Sequence, residues 1–315
     1  MSARQNGDLH LPLLENALDF LSSAVEQLQL DTTRSLKYAV LHLAAGVELL
    51  IKERLRQEDW QLLFDDVNAA DELKYAAGDF YGVTPPEALK RLRDIGIELP
   101  RRQKQTLTLL RQKRNRIQHF AVVDTKASVE VVTARALGFA LDFIANEIES
   151  AADDAVAADY IETLREAVGE LDAFVRERWS EIRDAVETEK TTTAVIVCAR
   201  CGEEAAAIDD GARCLFCGYA TGAEDTAHQY ASEVLGITLY EAVTDGGEYP
   251  VSHCPSCEYE TLVDRGGGEQ PRWFCATCGR TWEDGQLDNC LICGRLYSGE
   301  MSVCDDCFEE RLRAD

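Results

Sequence analysis

CARCGEEAAAIDDGARCLFCG, residues 198–218, contains two Cys-x-x-Cys pairs separated by 12 residues. The same unit recurs downstream. Cys198/Cys201, Cys214/Cys217, Cys254/Cys257, Cys275/Cys278, Cys290/Cys293 and Cys304/Cys307 account for all 12 cysteines of the chain. Taken two pairs at a time, the intervals are 12, 17 and 10 residues. Each is long enough for a β-hairpin that brings two knuckles around one tetrahedral ion. Four knuckles continue with glycine (Gly202, Gly218, Gly279 and Gly294). Glycine permits the left-handed turn that brings backbone amides towards the sulfurs. The spacing predicts three structural zinc ions with all 12 cysteines as ligands. Consecutive pairing is favoured; the alternative is a cross-brace in which Cys254/Cys257 share an ion with Cys290/Cys293. His228 and His253 are spare, since four sulfurs already fill each site. Such sites are closed and stabilise structure rather than catalyse.

Working back from this array, no cysteine precedes Cys198. Residues 1–12 have no apolar core of the secretory type, and no run of 18 apolar residues exists. Paired cysteines in such a chain read as metal ligands rather than disulfides, so a cytoplasmic protein without a membrane span is expected. Charge is divided unequally along the 315 residues. Residues 1–150 carry 19 basic and 22 acidic side chains, net −3, whereas residues 151–315 carry 13 and 35, net −22. A polyanionic surface repels phosphates, so the cysteine-rich half is a poor candidate for unaided nucleic-acid binding. Solubility or adaptation to high salt also accounts for that acidity.

The first half is helical in pattern. Leu14, Ala17, Leu21, Val25 and Leu28 form one stripe of a helix over 11–30. Asp31, Thr32 and Thr33 offer caps for a second helix to about Arg56, apolar over most of its circumference as a bundle centre requires. An irregular insert follows, punctuated by Gly82-Val83-Thr84-Pro85-Pro86 before a short helix near Glu87 to Arg93. Long helices are expected from Pro100 to Phe120 and from Asp124 to Glu149. These four long helices imply a mainly α protein with an up-and-down bundle over 1–150. Residues 151–190 contain a further long helix whose seam (Ile161, Leu164, Val168, Leu171, Val175, Ile182) is interrupted at Arg178. It reads as a docked fifth helix or a stalk. Small zinc-ribbon hairpins over 191–315 complete the order, with β-like runs at Thr193 to Val197 and Ile237 to Tyr240 and a loop tip at Gly266 to Gly268.

One segment of the bundle is chemically unusual. RRQKQTLTLLRQKRNRIQHFAVV, residues 101–123, carries seven basic residues and no acid. At 100° per residue, Arg111, Arg114, Asn115, Gln118 and His119 share one arc. Leu109, Leu110, Ile117 and Phe120 take the opposite side, so His119 is not a core histidine. A guanidinium, an imidazole and an amide on one surface suffice for RNA cleavage. The ribose 2′-hydroxyl attacks the adjacent phosphate once a base takes its proton, and an acid protonates the leaving 5′-oxygen. Histidine does either near neutrality, and arginine steadies the charge on the phosphate. Neither role needs a metal. His42 on the second helix reads as a core or interface histidine, and Glu48/Lys52 as an ordinary helical ion pair.

The run Arg114-Asn115-Arg116-Ile117-Gln118-His119 resembles the Arg-Asn-x-x-x-His motif of HEPN domains, a superfamily of all-α ribonucleases found in toxin–antitoxin, antiviral and RNA-processing systems. The segment Ala39 to Leu55 is similar to that family's second helix, and the resemblance covers about residues 10–150. It implies a homodimer with paired motifs facing a cleft, metal-independent cleavage and cyclic-phosphate products. His119 would be the general acid/base, Arg114 the phosphate ligand and Asn115 a positioning group. Arg111, Lys113, Arg116 and Gln118 would guide RNA. The ribbons would recruit a protein partner, recognise a feature of the substrate or restrain the nuclease. Some members of the family have lost catalysis and serve as scaffolds, which leaves an interaction protein docking through its ribbons as the second expectation.

Overall fold

The computed structural model describes residues 11–30, 32–121, 123–148, 155–244, 247–266, 270–299 and 302–314. Asp31, Gly267 and Gly268, named above as a cap and a loop tip, lie outside these residues. The fold is mainly α, with helices first and small antiparallel hairpins at the cysteine clusters, as expected. It divides into two compact units: residues 1–123 with 129–175, and residues 124–128 with 176–315. The division falls within the long helix rather than at its ends.

In the first unit, α1 (Leu13–Gln29) packs along α2 (Thr33–Glu58). Thr32 starts α2 with a capping box, its hydroxyl accepting from the Ser35 amide while the Ser35 hydroxyl accepts from the Thr32 amide. The helices meet closely at Gly46, where an added Cβ would lie 2.7 Å from Leu21 and 3.0 Å from the Ala17 carbonyl oxygen. His42 sits in the same seam, bonded to the Ser23 hydroxyl at 3.0 Å and flanked by the Phe20 ring. That is the interface role its position suggested.

The insert is held by α4 (Pro85–Asp94), which follows a short α3 (Glu72–Ala77). Arg91 is buried and donates to the carbonyl oxygens of Leu62, Phe64 and Asp65, oxygens that end a 3-10 turn and would otherwise be orphaned. The long helices α5 (Arg101–His119) and α6 (Lys126–Glu147) complete the bundle, and α6 buries residues around most of its surface.

Helix α7 (Ala155–Lys190) explains its own irregular seam. In its first part Ile161 and Leu164 are buried, as a docked helix requires. In its last part, within the second unit, Arg178 donates to the carbonyl oxygens of Leu215 and Phe216 in a cysteine knuckle. The next residue, Trp179, donates from Nε1 to Glu203 at 2.9 Å. The polar break at Arg178 is therefore the point where the helix grips the first ribbon.

That ribbon is a four-stranded antiparallel meander, β1 (Val195–Val197), β2 (Glu204–Ile208), β3 (Gly211–Cys214) and β4 (Ala220–Gly222). Helix α8 (Ala223–Gln229) continues into a π-helical turn over Tyr230–Leu235. The second ribbon has the same form with β5 (Val251–Ser252), β6 (Leu262–Asp264), β7 (Trp273–Cys275) and β8 (Thr281–Trp282). The third pairs only β9 (Asp288–Asn289) with β10 (Leu296–Tyr297) and ends in α10 (Asp305–Ala314). The β-like reading of Ile237 to Tyr240 is not met: α9 (Leu239–Thr244) begins there. The cause was visible in the sequence. Thr238 and Glu241 form the reciprocal cap of a helix start, the Glu241 amide donating to the Thr238 hydroxyl and the Thr238 amide to the Glu241 carboxylate.

Candidate functional site

Three groups of four sulfurs assemble as the spacing predicted. Cys198, Cys201, Cys214 and Cys217 form one; Cys254, Cys257, Cys275 and Cys278 the second; Cys290, Cys293, Cys304 and Cys307 the third. Within each group all ligand atoms lie within 4.8 Å of one another, so pairing is consecutive and the cross-brace is excluded. Sulfur–sulfur separations of 3.9 and 3.8 Å in the first group, 3.8 and 3.6 Å in the second and 3.7 Å in the third are recorded. A tetrahedral ion with metal–sulfur bonds of about 2.3 Å requires edges of roughly 3.8 Å. The residues fit such an ion.

The knuckles are built for it. Amides of Arg200, Cys217, Ser256 and Cys278 donate to the sulfurs of Cys198, Cys214, Cys254 and Cys275 at 3.4–3.5 Å. Gly202, Gly218, Gly279 and Gly294 all adopt positive φ. Glu258 takes the same left-handed turn after Cys257, at φ 65°. Hydrogen bonding from Cys198 holds the Cys217 thiol well below its ordinary value, while Cys198 pushes Cys201 well above it. In the second group Cys254 holds Cys275 down to about 4. Four crowded sulfurs cannot all ionise alone; a divalent cation among them removes that conflict. His253 and His228 are engaged elsewhere, with the Glu258 carbonyl oxygen and the Tyr249 hydroxyl respectively.

The basic helix presents a second candidate site of a different kind. Core positions of α5 are Thr106, Leu107, Leu109, Leu110 and Lys113. Lys113 is thus buried rather than offered to RNA, because it falls on the stripe that continues Thr106 and Leu109/Leu110 at helical spacing. Arg111, Arg114 and Arg116 are half-buried; Asn115, Gln118 and His119 are exposed. Phe120 is not on the apolar side either. The helix ends at His119, Phe120 turns to extended backbone (φ −139°, ψ 173°), and the residue is 75% exposed.

Arg114 is the organising residue. Its guanidinium donates to the Asn115 side-chain oxygen at 3.0 Å, to Gln118 at 3.3 Å and to Glu48 at 3.3 Å. Glu48, on α2, also receives Lys52 at 2.6 Å. The Glu48/Lys52 pair is therefore more than an intrahelical contact: through Glu48 it orients Arg114. Glu48 is one of three acids on α2, with Glu53 and Glu58, so nothing local in the sequence marked it out. His119 lies one turn beyond Asn115 at the helix end, beside the Phe120 ring with centroids 6.4 Å apart.

Next to Arg114 is a cleft of about 270 Å³. Val47 and Ile51 of α2, Leu107 and Leu110 of α5, and Pro85, Pro86 and Leu89 of α4 wall it. Glu48, Thr108, Arg111 and Arg114 stand at its polar side, whereas His119 is not among its lining residues. Guanidinium and imidazole therefore share a helix but do not enter this cleft together within one chain.

Among the described residues no helix is long and apolar enough to cross a membrane. Comparison with known proteins finds no matching family model, no matching curated protein and no matching solved structure.

Proposed function

We propose that this chain is a metal-independent endoribonuclease of the HEPN type that acts as a homodimer, with three structural zinc ions in its cysteine array. The observation carrying the reading is the constellation on α5. An exposed imidazole, His119, stands one turn from an Arg114–Asn115–Gln118 network whose guanidinium is oriented by Glu48. His119 takes the 2′-hydroxyl proton, or returns one to the 5′-oxygen, as the phosphate passes to a 2′,3′-cyclic product. Arg114 binds the phosphate oxygens and Asn115 holds the guanidinium in place. One histidine per motif leaves acid and base to be divided, and a second copy supplies the other. The exposed Phe120 and Val123 beside the motif are apolar surface that such a partner would cover.

Mixed RNAs incubated with purified protein in EDTA test this directly. Cleavage to cyclic-phosphate ends is expected, and His119→Ala should abolish it with circular dichroism and dimer mass unchanged. Equal cleavage by the variant eliminates the assignment.

A second reading, an interaction protein that docks through its ribbons, is favoured by the third module. Leu291 and Ile292 in its knuckle, and Phe308 and Leu312 one helical turn apart on α10, are all exposed. Absence of His119-dependent cleavage, with retained binding of a protein partner that Leu291→Asp abolishes, would select it.

A further inference from the structure

We propose that the cleft between α2, α4 and α5 is a nucleotide subsite, with an aliphatic floor for one base and Arg111 as the ligand of that nucleotide's phosphate. It deepens the ribonuclease reading and rests on it for the identity of the ligand.

Every polar side chain at the cleft's polar side already has a hydrogen-bond partner except one. Arg114 is met by Glu48, Asn115 and Gln118. Glu48 in turn is met by Lys52, and the Thr108 hydroxyl donates to the Lys104 carbonyl oxygen. Arg111 has no hydrogen-bond or ion-pair partner among the described residues. A half-buried guanidinium at the edge of an apolar cavity is completed by an anion, and its fork suits a phosphate. The cavity itself calls for an apolar body. Its volume of about 270 Å³ lies just under the usual range of about 300–1,000 Å³ for small-molecule sites, which limits the occupant to something the size of a single nucleotide.

The walls are stiff. Pro85 and Pro86 open α4 with ring-locked backbone, and Val47, Ile51, Leu107 and Leu110 are buried. Little side-chain freedom remains to be lost on binding. Among the described residues no aromatic ring lines the cleft, so a base is gripped by proline and aliphatic contact and sequence preference is weak. Arg111 and Arg114 are three residues apart on one helix, with Cβ atoms about 5–6 Å from each other. They are therefore placed to meet consecutive phosphates of one strand, Arg114 the scissile one and Arg111 its neighbour.

A fatty acid shares the chemistry of an apolar body bearing an anion, so the test includes one. Full-length His119→Ala protein, which cannot turn substrate over, is titrated with AMP, adenosine, inorganic phosphate and octanoate. AMP should bind at least tenfold more tightly than adenosine or phosphate, and octanoate should not compete. Leu89→Trp, which fills the cleft, should remove AMP binding. Arg111→Gln should weaken it at least tenfold with zinc content and melting temperature unchanged. Octanoate binding in preference to AMP, or AMP binding unaltered by Arg111→Gln, overturns the subsite. AMP bound in the expected way by a protein whose wild type cuts no RNA upholds the cleft and sinks the nuclease reading alone.

Discussion

The helical unit and the cysteine array solve the problem of a small core in opposite ways. The bundle buries conventional side chains such as Leu18, Leu21, Leu43, Leu50 and Leu137, and the close approach of α1 to α2 needs only a missing Cβ at Gly46. In the second ribbon, by contrast, the buried cluster is Cys254, Leu262, Cys275, Trp282 and Leu287. Two of those five residues are the proposed ligands themselves, so the metal centre is the core. Burial also declines along the array. All four sulfurs of the first group are buried, whereas Cys278 in the second and Cys293 in the third are exposed. A chain built this way should have one half whose stability ignores metal and one half that depends on it.

Chelation gives the largest expected effect. Structural zinc contributes on the order of 10–16 kcal/mol of apparent binding energy, comparable to typical domain stabilities of about 5–15 kcal/mol. Stripping the metal should therefore unfold the ribbons while α2 and α6 persist. Hydrogen exchange read by mass spectrometry should show the strands β1 to β8 losing protection and the bundle helices keeping it. Equal loss in both units would erase the distinction.

His119→Ala should show the converse pattern. A positioned general acid or base contributes about 10²–10⁴-fold to rate, so RNA cleavage should fall at least a hundredfold. Zinc content, measured by atomic emission, and melting temperature should stay where they are, because the side chain is exposed at a helix end. A parallel fall in zinc or stability would mean that the imidazole holds structure instead.

What the sequence disclosed follows the same division. The ribbons were legible almost completely, since ligand spacing, pairing and the glycine after four knuckles are dictated by local geometry around one ion. Helix positions in the bundle were legible from periodicity. Lys113 and Phe120 were misplaced because periodicity alone does not fix where a stripe ends or whether a lysine has slipped onto its core side. The long-range partners of Arg91, Arg178 and Glu48 were not read for a related reason: each acts on a segment remote in sequence, 26 or more residues away. Such pairings exist only once the chain has folded, and no local pattern announces them.

Gly46→Ala sharpens the comparison with a smaller effect. The new methyl would sit 2.7 Å from the Leu21 side chain, and overpacking of this kind costs about 1–3 kcal/mol. The melting temperature of the bundle should drop while the ribbons hold their zinc unchanged. A variant as stable as the parent would show that α1 shifts freely, and that the α1–α2 seam is not close-packed.

The smallest effect is expected at Glu48, and its direction discriminates between two roles. The Glu48–Arg114 pair is partly exposed, at 26% and 28% of the side chains, and pairs of that kind contribute only about 0–1 kcal/mol. Stability of Glu48→Gln should therefore barely change. In the proposed reaction, however, Glu48 both aims the guanidinium and competes with the phosphate for it. Removing its charge while keeping its shape should free Arg114 for RNA, lowering KM a few-fold. Each additional phosphate contact steepens the fall of log affinity with log salt by about 0.7 on a single strand, so the salt slope should grow by about that amount. The loss of aim should lower kcat at the same time. A KM and salt slope identical to wild type, with only kcat reduced, would mean that Arg114 never leaves Glu48 during the cycle. The phosphate would then have to be held by a different cation, and Arg111 at the rim of the adjacent cleft would take that place.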